Sequence, residues 1–230
     1  MPPPTRYLRK LDHAVKFPYR LSVERRLTRR GRDRRDQLVA YAARRFAENG
    51  YHPTSVAEIV SGMGVGKGVF YWYFSSKEEL FVEILRSAQR DLRRAQERAI
   101  AGEEDPLARI ELGIRATIRW LSEHRDHFIL IQFAASDEHF APLIRVGEEV
   151  AVADVSRHIR AGMERGRIDA GDPEVLGHAM LGVTNQLARV LLFEKKMDPS
   201  TVADAVVRFA LGGLRGFSGV IAAQVHAGSG

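Results

Sequence analysis

Residues Thr54 to Leu80 read TSVAEIVSGMGVGKGVFYWYFSSKEEL. The spacing predicts two short helices, about Ser55–Met63 and Lys67–Phe74, parted by Gly64-Val65-Gly66. Glycine enters the left-handed backbone region that so sharp a turn demands. Val56, Ile59, Val60, Val65, Phe70 and Phe74 are spaced to form a small shared core that fixes the angle between the helices. The second helix then presents Lys67, Val69, Tyr71, Trp72 and Tyr73 outward. A cation, hydroxyls and aromatic edges on one short helix suit docking against phosphates and a major groove.

Working outward, nearly every segment reads as helix, with no alternating run long enough for a sheet and no internal repeat. Ahead of the motif a helix is expected over about Asp33–Asn49, burying Leu38, Val39, Ala42, Ala43 and Phe46. Gly50 and Pro53 stop it. Behind the motif a longer helix starts after Ser76, its stripe formed by Leu80, Phe81, Ile84, Leu85, Ala88 and Leu92. Three later helices share a starting dipeptide: Asp105-Pro106, Asp172-Pro173 and Asp198-Pro199. Aspartate accepts hydrogen bonds from first-turn amides, and proline fits the first helical position. The expected spans are about 106–125, 127–135, 140–166, 173–195 and 199–222. The fold class is therefore all-α, with about nine helices, the short ones first.

The 230 residues contain 45% hydrophobic and 28% charged side chains, the balance of an ordinary globular protein. There is no cysteine, so disulfides and thiolate metal sites are excluded. The opening MPPPTRYLRKLDHAVKFPYR lacks the apolar core of a signal peptide. Ala205–Ala223, the most apolar stretch, is interrupted by Arg208 and Arg215 and reads as a packed helix. These readings place the chain in the cytoplasm, away from membranes.

Charge is concentrated at one end. Residues 1–36 hold 12 Lys/Arg against 4 Asp/Glu, a balance of +8, while the whole chain carries +6. An arm over residues 1–32, with Arg34 and Arg35 just behind it, suits phosphate neutralisation. A solvated tail or an amphipathic targeting peptide would carry similar charge.

The central stretch strongly resembles the tetracycline-repressor (TetR) family, whose pattern runs roughly T-x-x-x-I-A-x-x-A-G-V-S-x-G-x-x-Y-x-Y-F-x-x-K-x-x-L. The chain matches at Ile59, Gly64, Val65, Gly68, Tyr71, Tyr73, Phe74, Lys77 and Leu80, with Thr54 correctly ahead. The match covers about residues 34–85, and MERGRIDAGDPEVLGHAMLG continues the likeness. Gly66 stands where the family usually has Ser or Thr, and Val69 replaces a frequent Thr; a helix cap and a polar contact are thereby lost.

The resemblance implies a helix-turn-helix DNA-binding domain (33–80) and a helical ligand-binding and dimerisation domain (81–225) whose last two long helices pair with a second subunit. The expected DNA-contacting set is Arg34, Arg35, Thr54, Ser55, Gly66, Lys67, Gly68, Val69, Tyr71, Trp72, Tyr73 and Lys77, the last near a phosphate. Ala205, Gly212, Gly213, Gly216 and Gly219 would give the last helix a small face that lets a partner approach. Trp120, Phe128, Phe133, Phe140, Met163, Met180, Asn185, Gln186 and Phe193 are the candidates for lining an effector site. Aromatics and methionines with a few amides suit an apolar ligand: a fatty acid, an acyl-CoA or a drug-like molecule. The implied partners are double-stranded operator DNA and that effector, with no cofactor.

His124 and His127 invite a metal reading with His139, His158 or His178, but no H-E-x-x-H spacing is present and a charge-rich helix junction suits capping histidines better. Two rivals stand beside the regulator. A helical enzyme would need a nucleophile–base pair or a phosphate loop, which the sequence does not supply. A DNA-binding architectural protein or activator without an effector would differ in the C-terminal half alone.

Overall fold

The computed structural model describes residues 27–216. These form nine α-helices and no strand: α1 (Arg29–Asn49), α2 (Val56–Gly62), α3 (Lys67–Tyr73), α4 (Lys77–Ala99), α5 (Pro106–Glu123), α6 (Arg125–Ser136), α7 (Ala141–Glu164), α8 (Pro173–Leu187) and α9 (Pro199–Gly216). Most boundaries fall within two residues of the spacing-based expectation. α1 starts four residues early. Thr28 explains it: its Oγ1 accepts from the Gly31 amide at 3.2 Å, capping the helix inside the basic run. The rest of the arm, the end of the helix expected over 199–222, and Gly219 lie outside the described residues.

The aspartate–proline starts at Asp172 and Asp198 behave as capping chemistry dictates. α5, α8 and α9 begin at Pro106, Pro173 and Pro199. Asp172 accepts from the amides of Glu174 (2.8 Å) and Val175 (3.4 Å), and Asp198 from that of Thr201 (3.1 Å). The helix expected over 173–195 does not stay α. It changes to a π-helical segment over Ala188–Glu194, continued by a bond from the Lys195 amide to the Val190 carbonyl at 2.9 Å. Apolar spacing does not distinguish the two pitches.

By packing, the described residues fall into two compact units, one of residues up to Arg90 together with His124–Val146, the other of Asp91–Glu123 with Gly147 onward. The first unit is built on Phe46, Phe70, Phe74, Phe81 and Phe140, all nearly inaccessible, with Leu38, Ile59 and Leu80 between them. In the second unit, α5 packs along α9. Ile110, Ile114, Ile118 and Leu121 are buried on the one helix, and Val202, Val206, Ala210 and Leu214 on the other. Each of these sets repeats every three or four residues, the stripe of a half-buried helix.

Candidate nucleic-acid interface

The local sequence builds a rigid corner. Ser55 caps α2, accepting from the Glu58 amide at 3.1 Å. The helix ends at Gly64, whose φ of +65° makes the left-handed turn, and the Val65 amide reaches back to the Val60 carbonyl at 2.9 Å. α2 lies so close to α1 that a Cβ on Gly62 would sit 1.8 Å from the Tyr41 hydroxyl. A second connection is ionic: the Glu58 carboxylate accepts from Arg45 Nη2 at 2.6 Å and from Asn49 Nδ2 at 3.0 Å. The Arg45 hydrogen bond, opposed by partial desolvation, holds the Glu58 carboxyl below the usual carboxylate range.

α3 then divides its surface. Phe70 is fully buried, and Phe74 just beyond the helix is 1% exposed, whereas Tyr71 and Trp72 are 57% and 58% exposed. Lys67 and Gly68 are exposed, Val69 and Tyr73 half-buried. Gly66 caps α3 without a side-chain bond, as its replacement of Ser or Thr implies. Ser55, Gly66, Lys67, Gly68, Tyr71 and Trp72 are thus all open to a partner.

Three other expected contact residues face inward. Thr54 is completely buried, its hydroxyl donating to the Gly50 carbonyl at 2.8 Å. Lys77 donates to the carbonyls of Tyr51 (3.0 Å), His52 (3.2 Å) and Thr54 (3.1 Å), with its ammonium 4.4 Å from the Tyr51 ring centroid. An ammonium has three hydrogens, so this one is saturated by the turn between α1 and α2. The structure thus gives Lys77 the job of tying that turn. Arg35 lies over the Phe74 ring at 4.9 Å and pairs with Glu83 at 3.3 Å, whereas Arg34 is exposed.

The effector candidates are divided between the two units. Phe133 and Phe140 pack in the first unit against Tyr51 (5.6 and 5.2 Å between centroids) and Phe81 (5.8 and 4.6 Å), as core under the helix-turn-helix. Phe128, in the same unit, is buried. Trp120 and Met180 are buried in the second unit, Met163 and Phe193 are half-buried there, and Asn185 and Gln186 are exposed. His124 and His127 lie 5.8 Å apart between ring centroids, and the described residues include no cluster of three His, Asp or Glu placed to hold a metal.

Two capping features escaped the sequence reading although their signal was present. Ser55-x-x-Glu58 and Ser76-x-x-Glu79 both have capping-box spacing. In the second, the Glu79 amide donates to Ser76 Oγ at 3.1 Å while the buried Glu79 carboxylate accepts from the Ser75 amide at 2.6 Å. The Glu58–Arg45 pair had no comparable signal, since it spans two helices.

One short helix anchored by the buried Phe70 and Phe74, with its aromatic and cationic side outward, is the arrangement of a helix-turn-helix head. The model for bacterial regulatory proteins of the tetR family matches residues 38–84, and that for the tetracyclin repressor-like C-terminal domain matches residues 103–214. The chain belongs to the tetR family.

Among its relatives, the HTH-type transcriptional regulator YdgC of Bacillus subtilis is 25% identical over 190 residues, 80% of this chain and 94% of YdgC. The HTH-type transcriptional activator FasR of Mycolicibacterium smegmatis is 28% identical over 189 residues, 79% of this chain and 83% of FasR. In fold, the chain is similar to the fatty acid degradation regulator FadR of Bacillus halodurans, with a TM-score of 0.71 at 19% identity, over 79% of this chain and 96% of that one.

Proposed function

We propose that the protein is a cytoplasmic, ligand-responsive repressor without enzymatic activity, which binds a pseudo-palindromic operator as a homodimer and is released by a small apolar effector. Residues 33–80 read DNA, and residues 81–225 sense the effector and join the protomers. The observation that carries this reading is α3 itself: Tyr71 and Trp72 stand more than half exposed on a helix anchored by a wholly buried Phe70. Ser55, Gly66, Lys67, Gly68, Val69, Tyr71, Trp72 and Tyr73 make the contacts, with Arg34 at the flank. Thr54, Arg35 and Lys77 act through the residues they hold in place.

One short recognition helix reads too few base pairs to find a site in a genome, so two must be joined. They then lie in successive major grooves, roughly 34–36 Å apart. The exposed side of α9 supports the joining surface. Ala205, Phe209 and Gly212 recur there at intervals of four and three, and Phe209 is 64% exposed. Ala179, Gly182 and Gln186 give α8 a matching exposed row.

Trp120, Met163, Met180 and Phe193 are the effector contacts retained from the second unit, and their apolar character suits a fatty acid, an acyl-CoA or a drug-like molecule. An effector that prefers a dimer with differently spaced heads draws the population away from the operator-bound form.

The test starts from duplex DNA selected from a random pool by the full-length protein. Tyr71→Ala and Lys67→Ala should each strongly weaken binding without changing helix content or association. Lys67→Ala should also lower the salt-dependence slope by about 1. Unchanged affinity in both variants would overturn the assignment of α3. Mass spectrometry of co-purified ligand, followed by operator titration with fatty acids, acyl-CoAs and drugs, tests the sensor. The absence of both ligand and release would leave a regulator without an effector.

A further inference from the structure

The basic run that ends at Arg35 is unevenly disposed. Arg29, Arg30, Arg32 and Arg34 are exposed, whereas Arg35 is half-buried. Its guanidinium lies 4.9 Å from the ring centroid of Phe74, the residue that closes the reading helix α3. Its Nη1 donates to Oε1 of Glu83 on α4 at 3.3 Å. The same oxygen accepts from Arg90 Nη2 at 2.8 Å. Glu83 is only 8% exposed, and its chain neighbours Val82 and Ile84 are buried as well. An acidic residue therefore occupies a place on α4 where an apolar one would pack.

Stability gives little reason for it. Burying a carboxylate costs free energy that facing cations only offset, and a well-packed apolar residue of similar size often serves the fold as well or better. What Glu83 offers that an apolar residue cannot is competition with phosphate. Carboxylate and phosphodiester are both oxyanions that a guanidinium grips through charge-assisted hydrogen bonds. Arg35 follows the exposed Arg34 and rests on the end of α3, so it lies beside the reading helix. A free cation there strengthens binding to every duplex, because phosphate neutralisation is independent of sequence. A regulator, however, finds its site by the ratio of specific to non-specific affinity.

We propose that Glu83 is a specificity-determining residue: it stands in for phosphate inside the protein and withholds Arg35 from DNA, so that the head grips unrelated duplex less than its basic run would allow. The inference rests on the DNA-binding reading above and goes beyond it, giving a role in sequence choice to a buried residue that touches no DNA. On the operator, base contacts fix the pose of α3, and a loose cation has few phosphates within reach. On unrelated DNA the head settles in many registers, and a loose cation meets a phosphate in most of them. Freeing Arg35 therefore raises non-specific binding more than operator binding. The Phe74 ring assists the carboxylate by holding the guanidinium from its other side.

The experiment titrates full-length protein, over a series of salt concentrations, onto the duplex it selects from a random pool and onto a scrambled duplex of the same length. Glu83→Gln keeps the size and an acceptor oxygen while removing the charge. On the scrambled duplex it should steepen the salt slope by about 0.9 per protomer and, at about 0.1 M salt, raise affinity by about tenfold for each protomer bound. Operator affinity should rise less, so the ratio of the two falls. Arg35→Gln alone should leave the slope on the scrambled duplex at the wild-type value, and the Arg35→Gln/Glu83→Gln double variant should return it there. Circular dichroism and sedimentation check that fold and association hold in each variant. If Glu83→Gln weakens both duplexes alike with unchanged slopes, Glu83 serves packing alone and the proposal is overturned, while the regulator stands. If Arg35→Gln itself lowers the slope, Arg35 already meets phosphate and the proposal is overturned too. A steeper slope that persists in the double variant would come from Arg90 and overturn the assignment to Arg35. If the wild type selects no duplex, the DNA-binding reading falls and this inference with it.

Discussion

The helix-turn-helix corner and the second unit put their helices to opposite uses. In the corner, large side chains are sorted sharply: Phe46, Phe70, Phe74 and Phe81 are almost inaccessible, while Tyr71 and Trp72 are more than half exposed. Polar groups then lock the geometry, with Lys77 on three carbonyls, Thr54 on a fourth, and Glu58 joined to Arg45. The second unit relies on long apolar stripes. Its α9 buries Val202, Val206, Ala210 and Leu214 but leaves Ala205, Phe209 and Gly212 in solvent. A surface that must present a few groups to DNA needs short-range polar control. The surface proposed to join a second copy offers length and small residues instead.

Substituting one buried and one exposed position separates the two uses most directly. Phe81 touches Phe46, Tyr51, Phe133 and Phe140 at centroid distances of 5.7, 4.6, 5.8 and 4.6 Å. Phe81→Ala should cost about 3–5 kcal/mol of stability in urea unfolding, the range for emptying a buried aromatic site. Gly212→Arg should behave in the contrary way. A Cβ there meets nothing within 4 Å in the protomer, so helix content and monomer stability should hold while sedimentation shows dissociation and operator binding is lost. A Gly212→Arg protein that stays dimeric and binds DNA normally would move the joining surface off this face of α9.

The same contrast explains what the sequence discloses. The corner was legible because its determinants lie in one short stretch, from Gly64 to Phe74: Gly64 in the left-handed turn, Phe70 and Phe74 inward, Tyr71 and Trp72 outward. What escaped it needed a third dimension. Lys77 lies in the first turn of α4, where a solvated or phosphate-facing lysine looks the same on paper. Its true partners, the carbonyls of Tyr51, His52 and Thr54, are more than twenty residues away. Phe133 and Phe140 have the composition of a ligand site, yet packing places them under α1 and α4 in the first unit. Apolar composition states that a residue is inside, and long-range packing decides inside what.

Lys77 offers the next test, of smaller size. Lys77→Met keeps the apolar stem and removes three donors from partly buried carbonyls. Bonds from a charged donor contribute about 1.5–3 kcal/mol, so a loss of about 2 kcal/mol in the stability of the head is expected. Operator affinity should fall with it because the turn ahead of α2 loosens, while the salt-dependence slope stays at the wild-type value. A slope lower by about 1 with unaltered stability would instead show that Lys77 releases the turn and neutralises a phosphate on the operator.

The smallest effect belongs to the surface pair between α1 and α2, and its sign is fixed by linkage. The Glu58 carboxyl is held below its ordinary range, first by the Arg45 hydrogen bond and further by the charge of Arg45 and by Asn49, with desolvation opposing. Arg45 is shifted the other way by the same contact, so the two partners agree. A group whose folded value is depressed adds stability above its unfolded value, and the contribution is lost as pH falls through the folded one. The window is therefore acidic, at and below the ordinary glutamate range of about 4.3. Between about pH 6 and about pH 3, Glu58→Gln should flatten part of the fall in thermal midpoint while leaving the midpoint near neutrality little changed, as exposed pairs contribute little. Carboxyl NMR reads the cause directly: Glu58 should titrate below a free glutamate in the wild type and return toward it in Arg45→Gln. An ordinary titration in the wild type would mean that the pair is open in solution, leaving the close contact at Gly62 and the shared apolar core to hold α2 against α1.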